Sequence, residues 1–327
     1  MTETKPARLV DELIAKEEPR ILFEVPLKPL IGSRFQPTGF PDLGAAQYRD
    51  PTGTGERLLV ESAQSMANRL EAVCWDEAED DLVEPLRGMP FVRVEGDGVH
   101  TSSILEAHRL NSPYVLKADG GDFEKAFKER AGLGKGTVSR PEFAAALLHY
   151  DPNSLVHGAF MSQIKPGTAR LERMLSGFIE AENVEVVESG GVKIDRNDTS
   201  GKDAGGSSEG FGNVPFHRTE FAAERIYAAF AIDLSAVRGL RLPEPGARLV
   251  ALLALYKVRR FLDAPMRLRT ACDLEVDDGG DWKVRPSSLG LPSHDALAGG
   301  LAETIAEAQK AGLFADPAVT VLRYGKA

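Results

Sequence analysis

Apolar side chains recur along the chain at two spacings, one typical of strands and one typical of helices. Arg20–Ile31 is rich in apolar and β-forming residues and predicts a strand, with Pro26 and Pro29 marking an edge or a bulge. Ser62–Trp75 has apolar residues at helical spacing and predicts an amphipathic helix, for which Ser62 is a natural N-cap. The opposite face of this helix presents Gln, Ser, Asn and Arg side chains.

The rest of the chain continues this alternation of strand and helix signals. Strand patterns lie at Phe91–Glu95, Ile226–Leu234 and Met266–Leu274, and helical patterns lie at Phe143–Leu148, Thr168–Glu180, Pro245–Leu262 and Leu297–Ala311. Leu249–Leu255 is apolar nearly all round, which predicts that this part of its helix is buried. Strands interleaved with helices indicate an α+β fold.

The composition of Asn183–Asn213 differs from that of the rest of the chain and predicts a long insertion. Val184–Val187 and Val192–Ile194 predict a hairpin that turns at Ser189–Gly191. Asp198–Gly210 has almost no apolar residue and contains four glycines. Because such a segment buries too little surface to order itself, it predicts a mobile loop.

Length and composition are those of an ordinary globular protein. At 327 residues the chain can form one large domain or two, and its 43% hydrophobic content suits a packed core. It has no apolar run of membrane-spanning length and no basic-then-apolar start, so we expect a soluble cytoplasmic protein. Two cysteines, Cys74 and Cys272, are too few for a disulfide framework or a cysteine-only zinc site, and their apolar neighbours predict buried free thiols.

The net charge of −10 argues against a generic nucleic-acid coat protein, but the charges are unevenly distributed. From Glu71 to Asp97 nine acids stand against two arginines, and from Pro245 to Thr270 six basic residues stand against Asp263 alone. An acidic region and a basic strip fit a protein that confines a polyanion to one groove. They fit equally well a head-to-tail assembly in which the basic face of one copy meets the acidic face of the next. Charges scattered over a solvated surface are the simpler alternative.

Three kinds of side chain in these segments can hold a polyanionic polymer. Arg and Lys neutralise phosphates, amides and hydroxyls bond phosphate and ribose oxygens, and aromatic rings stack on bases. The loop Arg34–Gly44 supplies all three kinds, and Gly39 allows a close approach of the backbone. Because none of these contacts reads a particular base, the combination tolerates any RNA sequence.

Each of these groups also has a purely structural interpretation. Pro37 and Pro41 make the loop a rigid surface turn, and the polar helix face is equally a solvated one. The basic residues that end the long helix sit where a helix terminus favours positive charge. Arg267 and Arg269 share a strand face that suits either phosphates or ion pairs with a neighbouring copy. Phe216 is interpreted as a core anchor.

Several of these segments resemble a known family. They are similar to the Cas7 backbone subunits of CRISPR type I surveillance complexes, in the RAMP superfamily, and in particular to the type I-U branch, now called I-G. The resemblance spans Ile21 to Leu274. Its segments are Arg34–Gly44, Ser62–Trp75, Leu105–Pro113, Gly210–Glu220, Ala254–Leu262 and Leu268–Leu274.

The resemblance implies a fold that the residue pattern alone does not give. This fold is a modified RRM (ferredoxin-like) core with an inserted β-hairpin thumb and helical additions. The whole chain, residues 1–327, would be a single domain. Residues 183–213 would be the thumb, with a flexible glycine-rich tip, and residues 286–327 a C-terminal extension.

The resemblance also implies a non-catalytic subunit that coats the guide RNA (crRNA) and needs no cofactor. Copies would stack head to tail along the guide and hold the target DNA strand through the guide hybrid, each thumb interrupting that duplex at regular intervals. Further expected partners are a large subunit, a Cas5- or Cas6-like protein, and a helicase-nuclease that the complex recruits. The residues expected to bind RNA are Arg34, Phe35, Gln36, Thr38, Gln64, Asn68, Arg69, Arg109, Asn111, His217, Arg218, Lys257, Arg260, Arg267 and Arg269.

Catalytic motifs are weak in this sequence. Gly132–Thr137 is similar to a phosphate-binding loop but fails as one, because Glu129 replaces its first glycine and Gly136 separates its Lys from its Thr. The six histidines have no metal-ligand spacing, so no metal site is predicted. The alternative is a metal-dependent endoribonuclease of the same superfamily, with Asp42 or His217 as the essential residue. A small-molecule enzyme is the third class, for which no cofactor motif or triad is present.

Overall fold

A computed structural model describes the chain at residues 5–40, 42–53, 55–134, 137–164, 169–196 and 212–325. The α-helices are α1 (Pro6–Ala15), α2 (Ala63–Ala72), α3 (Pro113–Leu116), α4 (Asp122–Arg130), α5 (Arg140–Tyr150), α6 (Asn153–His157), α7 (Leu234–Gly239), α8 (Glu244–Asp263) and α9 (His294–Lys310). The strands are β1 (Arg20–Pro29), β2 (Arg34–Phe35), β3 (Gly39–Phe40), β4 (Gly44–Ala45), β5 (Gln47–Arg49), β6 (Glu56–Glu61), β7 (Trp75–Asp76), β8 (Asp81–Leu82), β9 (Phe91–Gly96), β10 (Val99–Ser102), β11 (Ala159–Phe160), β12 (Arg170–Leu171), β13 (Leu175–Lys193), β14 (Val214–Asp233), β15 (Met266–Arg269), β16 (Cys272–Val276), β17 (Lys283–Arg285) and β18 (Val319–Arg323).

The central sheet is antiparallel and contains the longest strands. Its order is β15-β16-β1-β14-β13-β6-β5, with β17 also pairing with β1 and β2 with β14. Along the chain, α2 lies between β1 and β13, and α8 lies between β14 and β15. In space α2 contacts β13 and α8 contacts β14. Helices packed on an antiparallel sheet make this an α+β protein, as the sequence predicts.

Burial along β1 identifies the covered face of the sheet. Ile21, Phe23 and Val25 are buried, whereas the residues between them are partly exposed. The covering helix α8 is fully buried from Leu249 to Leu255, which confirms the prediction from its all-round apolar sequence. The main core therefore lies between one face of the sheet and the helices.

β13 and β14 form one long hairpin, which corrects the prediction of a short local one. Their ladder runs without a register shift from Leu175 opposite Ile232 to Lys193 opposite Val214. The two strands are adjacent in the sheet but separated along the chain by about twenty residues. The loop predicted to be mobile, Asp198–Gly210, lies outside the described residues.

Gly190 and Gly191 lie inside β13 rather than in a turn. They are paired with His217 and Phe216 of β14. A Cβ atom on Gly190 would lie 2.5 Å from the Phe216 carbonyl oxygen, and one on Gly191 would lie 3.2 Å from the Phe216 ring. These glycines therefore permit a close approach of the neighbouring strand, a role that the sequence cannot distinguish from a turn.

Two local predictions are wrong, and one of the two alternatives for Pro26 and Pro29, an edge strand, is excluded. Thr168–Glu180 is not a helix, because its described part contains β12 and the start of β13. Met266–Leu274 is not one strand, because the chain reverses at Ala271, whose φ is +59°, to form β15 and β16. β1 is not an edge strand. Its Pro26 lies between the segment that pairs with β17 and the segment that pairs with β16, where a missing N–H is tolerated.

Other local predictions are confirmed. The helix predicted at Ser62–Trp75 is α2, and the Ser62 side chain accepts a hydrogen bond from the Ser65 amide at 3.2 Å. Cys74 and Cys272 are both buried free thiols. Among the described residues, no helix is long and apolar enough to cross a membrane.

The two ends of β14 give a matched test of this packing. Phe230 is 2% exposed in the core, whereas Phe216, which the sequence predicts to be a core anchor, is 48% exposed on the hairpin. We expect Phe230→Ala to lower the free energy of unfolding by about 3–5 kcal/mol, because it opens a cavity. Phe216→Ala is the control and should change it by less than about 0.5 kcal/mol. Equal losses in chemical denaturation would contradict the described course of β14.

Candidate nucleic-acid interface

Glu61 at the end of β6 organises two of the predicted RNA-binding arginines. Its side chain is fully buried, and it accepts hydrogen bonds from Arg269 and from Arg69 Nε, the latter at 2.7 Å. Ser65 also donates to it. A buried carboxylate must be neutralised, so these two arginines stabilise the fold, although each remains about one quarter exposed (29% for Arg69, 24% for Arg269).

The same arginines tie the loop after β1 to the rest of the molecule. Arg269 donates to the Gln36 carbonyl oxygen at 3.2 Å, and Arg69 donates to the Leu268 carbonyl oxygen at 2.5 Å. Gln36 and Thr38 are half-buried beside them. Residues that are remote in sequence, from the loop, α2 and β15, are thereby brought together.

A second cluster lies where the long hairpin leaves the sheet. Glu220 is 7% exposed and pairs with Arg34 at 3.2 Å and with Arg218 at 3.8 Å. Both arginine side chains keep substantial exposure, 54% and 36%. Arg218 also lies over the ring of Phe216 at 5.8 Å, and His217 between them in sequence is exposed. One acid shared by two arginines leaves net positive charge that a phosphate can use.

The exposed face of α2 carries the predicted amides. Gln64 and Asn68 are both exposed, one turn apart, and Gln64 Nε2 lies 3.4 Å from Asn68 Oδ1. Arg173, just before β13, donates to Gln64 Oε1 at 2.5 Å and to the Ala63 carbonyl oxygen at 3.3 Å. This contact joins the polar face of α2 to a neighbouring groove.

The groove is basic, and the sequence analysis predicted only one of its four arginines, Arg109. It has a volume of about 620 Å³ and is also lined by one acid, Glu172, and by three arginines that were not predicted, Arg140, Arg170 and Arg173. Arg140 holds Glu172 through two hydrogen bonds of 2.9 and 2.6 Å. These arginines come from α5, β12 and the segment after β12, so no local run of positive charge reveals them.

Two of the predicted contact residues are buried, which contradicts their prediction. Phe35 is 1% exposed and is paired with Phe221 in the sheet, so its ring cannot stack on a base. Asn111 is 5% exposed, donates to Ser162 Oγ at 3.1 Å and accepts from the Gln163 amide at 3.1 Å. Both residues shape the scaffold instead.

Lys257 and Arg109 both donate hydrogen bonds to buried groups of the protein. Lys257 is 0% exposed and donates to the Leu70 carbonyl oxygen at 3.1 Å and to Asn153 Oδ1 at 2.6 Å. Asn153 in turn donates to Glu71 at 3.1 Å. Arg109 donates two hydrogen bonds, of 2.6 and 2.8 Å, to the same Glu71 carboxylate. Lys257 cannot reach a phosphate without leaving buried groups unpaired, so its predicted contact is wrong. Arg109 is partly exposed and lines the basic groove, so its contact with RNA stays a prediction.

The predicted basic strip, Pro245–Thr270, leaves fewer cations available to a ligand than its sequence indicates. Arg259 pairs with Asp263, and Arg260 has its Nε atom buried without a hydrogen-bond partner among the described residues. Arg267 is 75% exposed and lies 3.8 Å from Asp273, so it remains available to a ligand. Most of the strip neutralises acids of the same chain.

The alternative catalytic residues are not clustered in the described structure. Asp42 is exposed in the loop between β3 and β4, and His217 is exposed on β14. Within the described ranges, no group of three or more His, Cys, Asp and Glu side chains could hold a metal ion. The loop similar to a phosphate-binding loop lies partly outside those ranges, at residues 135 and 136.

Comparison with known proteins bears on the family of the chain. The family described as CRISPR-associated protein GSU0053 matches residues 21–186, just over half of the 327. No curated protein matches. The chain is similar to a solved CRISPR RNA-guided surveillance complex, pre-nicking, with a TM-score of 0.37 and 13% identity over 78% of this chain and 76% of that chain. It is also similar to Csc2 of Thermofilum pendens, with a TM-score of 0.32 and 10% identity over 92% of this chain and 78% of that chain.

Two positions of α8 test the difference between a fully buried cation, Lys257, and a partly exposed one, Arg259. We expect Lys257→Met to lower the free energy of unfolding by about 2–4 kcal/mol, because the Leu70 carbonyl and Asn153 lose their donor. Arg259→Met removes only a pair with Asp263 and should cost about 0.5 kcal/mol. A salt titration of RNA binding should have the same slope for wild type and Lys257→Met. A shallower slope without loss of stability would restore Lys257 as a phosphate contact.

Proposed function

The chain belongs to the CRISPR-associated protein GSU0053 family, which is a Cas7 family, and on that premise we propose that it is a crRNA-binding backbone subunit of a CRISPR surveillance complex. Cas7 proteins are generally non-catalytic, and we assign this chain the same role. The observation that carries the proposal is a connected series of polar and basic groups. It runs from the hairpin base through the loop and α2 to the basic groove.

The chemistry of this series suits a guide of any sequence. Arg34, Arg218 and Arg173 offer positive charge for phosphates, and Gln64 and Asn68 offer amides for phosphate and ribose oxygens. Contacts of this kind position a strand without reading its bases. A subunit that must accept many different guides needs this tolerance.

We further propose that the core is of the RRM-like, ferredoxin-like type. The order of four antiparallel strands in the sheet, β16-β1-β14-β13, supports it. Along the chain, β1, β13, β14 and β16 take the places of the first, second, third and fourth strands of a β-α-β-β-α-β sequence. The two helices of that sequence are α2 and α8. Residues 286–327, with α9 and β18, would then be a C-terminal extension of a single domain over residues 1–327.

The outer part of the long hairpin is our candidate for the thumb. From Val187 opposite Glu220 to Lys193 opposite Val214, the two strands pair only with each other among the described elements. Seven residues at about 3.3 Å each extend about 23 Å. An isolated two-stranded ribbon is marginally stable, so a bound guide–target duplex or a neighbouring copy would be needed to hold it. The thumb therefore includes the return strand β14, beyond the predicted limit at residue 213.

The proposed assembly is a head-to-tail stack along the guide, in a type I-G complex of the cytoplasm. A repeated heterologous contact that does not close gives an open helical filament, which matches a linear RNA. The proposed partners are crRNA, the target DNA strand, further copies of the chain, a large subunit and a Cas5- or Cas6-like protein. The complex would recruit a helicase-nuclease to degrade the target.

The stack predicts a stepwise change of mass with RNA length. We would measure the mass of the protein by size-exclusion chromatography with light scattering, alone and with unstructured RNAs of increasing length. The mass of the complex should rise in protein-sized steps.

Weakening the hairpin base with Arg34→Gln plus Arg218→Gln should reduce the magnitude of the salt slope of RNA binding by about 1.4, or 0.7 for each lost phosphate contact. One copy on every RNA, or no binding at low salt, would contradict the proposal.

A further inference from the structure

The basic groove contains more than positive charge. The hairpin of β11 and β12 forms one wall, and Phe160 of β11 is directly opposite Arg170 of β12 in the register. Phe160 is 56% exposed, so its ring is open to a ligand. Arg170 is exposed and has no ion pair among the described residues. An open ring beside an uncommitted guanidinium is a platform for a base and its phosphate.

A buried imidazole lines the same groove. His157 at the end of α6 is 1% exposed, and neither of its ring nitrogens has a hydrogen-bond partner in the described structure. Its burial and the charges of Lys257 and Arg109 hold the pKa of His157 well below its usual range. The ring is therefore neutral and offers one donor and one acceptor. Because both ring nitrogens are buried, the imidazole forms part of the groove wall and adds no positive charge to it.

Two other arginines of the groove are held in place before any ligand binds. Arg140 is fixed by Glu172, and Arg173 is fixed by Gln64 and the Ala63 carbonyl oxygen. Because these two arginine side chains are already ordered, they lose little further conformational entropy when a phosphate binds. The arrangement distinguishes the groove from a surface on which flexible cations are scattered.

We propose that this groove binds one nucleotide of single-stranded RNA. The base stacks on Phe160, and the phosphate lies between Arg170 and Arg173. This inference rests on the proposed guide-binding function and names a site within it. An acidic protein segment would use the arginines but would leave the exposed ring of Phe160 without a role, so the chemistry favours a nucleotide.

The test compares exposed substitutions that should not disturb the fold. By fluorescence anisotropy with guide-length RNA, Phe160→Ala should weaken binding about 5- to 150-fold, since a stacked base contributes about 1–3 kcal/mol. Arg170→Gln should reduce the magnitude of the salt slope by about 0.7. Phe160→Trp should keep the affinity, and its fluorescence should be quenched as RNA binds. Arg8→Gln removes a 77% exposed arginine from α1 and is the control that should change nothing.

Each outcome decides for or against the groove. If wild type binds RNA and both groove variants bind equally well, the groove is not a nucleotide site, although the chain remains an RNA-binding subunit. If wild type itself does not bind RNA, the proposed function has failed first. If the groove variants bind RNA normally but no longer multimerise on it, the groove is a contact between protein copies, and the nucleotide assignment is overturned.

Discussion

Two buried carboxylates, one at each end of α2, constrain the rest of the structure. Glu61 precedes the helix and is neutralised by Arg69 and Arg269, and Glu71 lies in its last turn and is neutralised by Arg109. Leaving one such carboxylate unpaired would cost about 3–5 kcal/mol. The partners therefore cannot move away, and they fix α2 against the sheet, the loop after β1 and the wall of the basic groove.

This constraint separates the basic residues into two groups. One group, which includes Lys257 and Arg109, compensates charges and polar groups inside the fold. The other group keeps its charge at the surface and forms the candidate interface, with Arg34, Arg218 and Arg170 as examples. A chain with net charge −10 can hold a polyanion in this way, because Arg34 and Arg218 share one acid between them and Arg170 has no ion pair among the described residues.

The sequence predicts elements whose signal is local. The buried helix α8 follows from its all-round apolar run, and the start of α2 follows from Ser62, because both signals lie within a few neighbouring residues. The hairpin of β13 and β14 does not follow, because each strand finds its partner across an insertion and the glycines inside β13 imitate a turn. The roles of the arginines do not follow either, since Arg269 neutralises a carboxylate 208 residues away. Three of the four arginines that line the basic groove were missed for the same reason.

The central claim is that RNA lies along the series from the hairpin base through α2 to the basic groove. Photocrosslinking of the protein on guide-length RNA, with mass spectrometry of the attached peptides, tests it most directly. The account predicts crosslinks in peptides that contain residues 34–38, 64–68 and 157–173. Crosslinks confined to the partly exposed face of the central sheet, around Phe178 and Ala229, would contradict it.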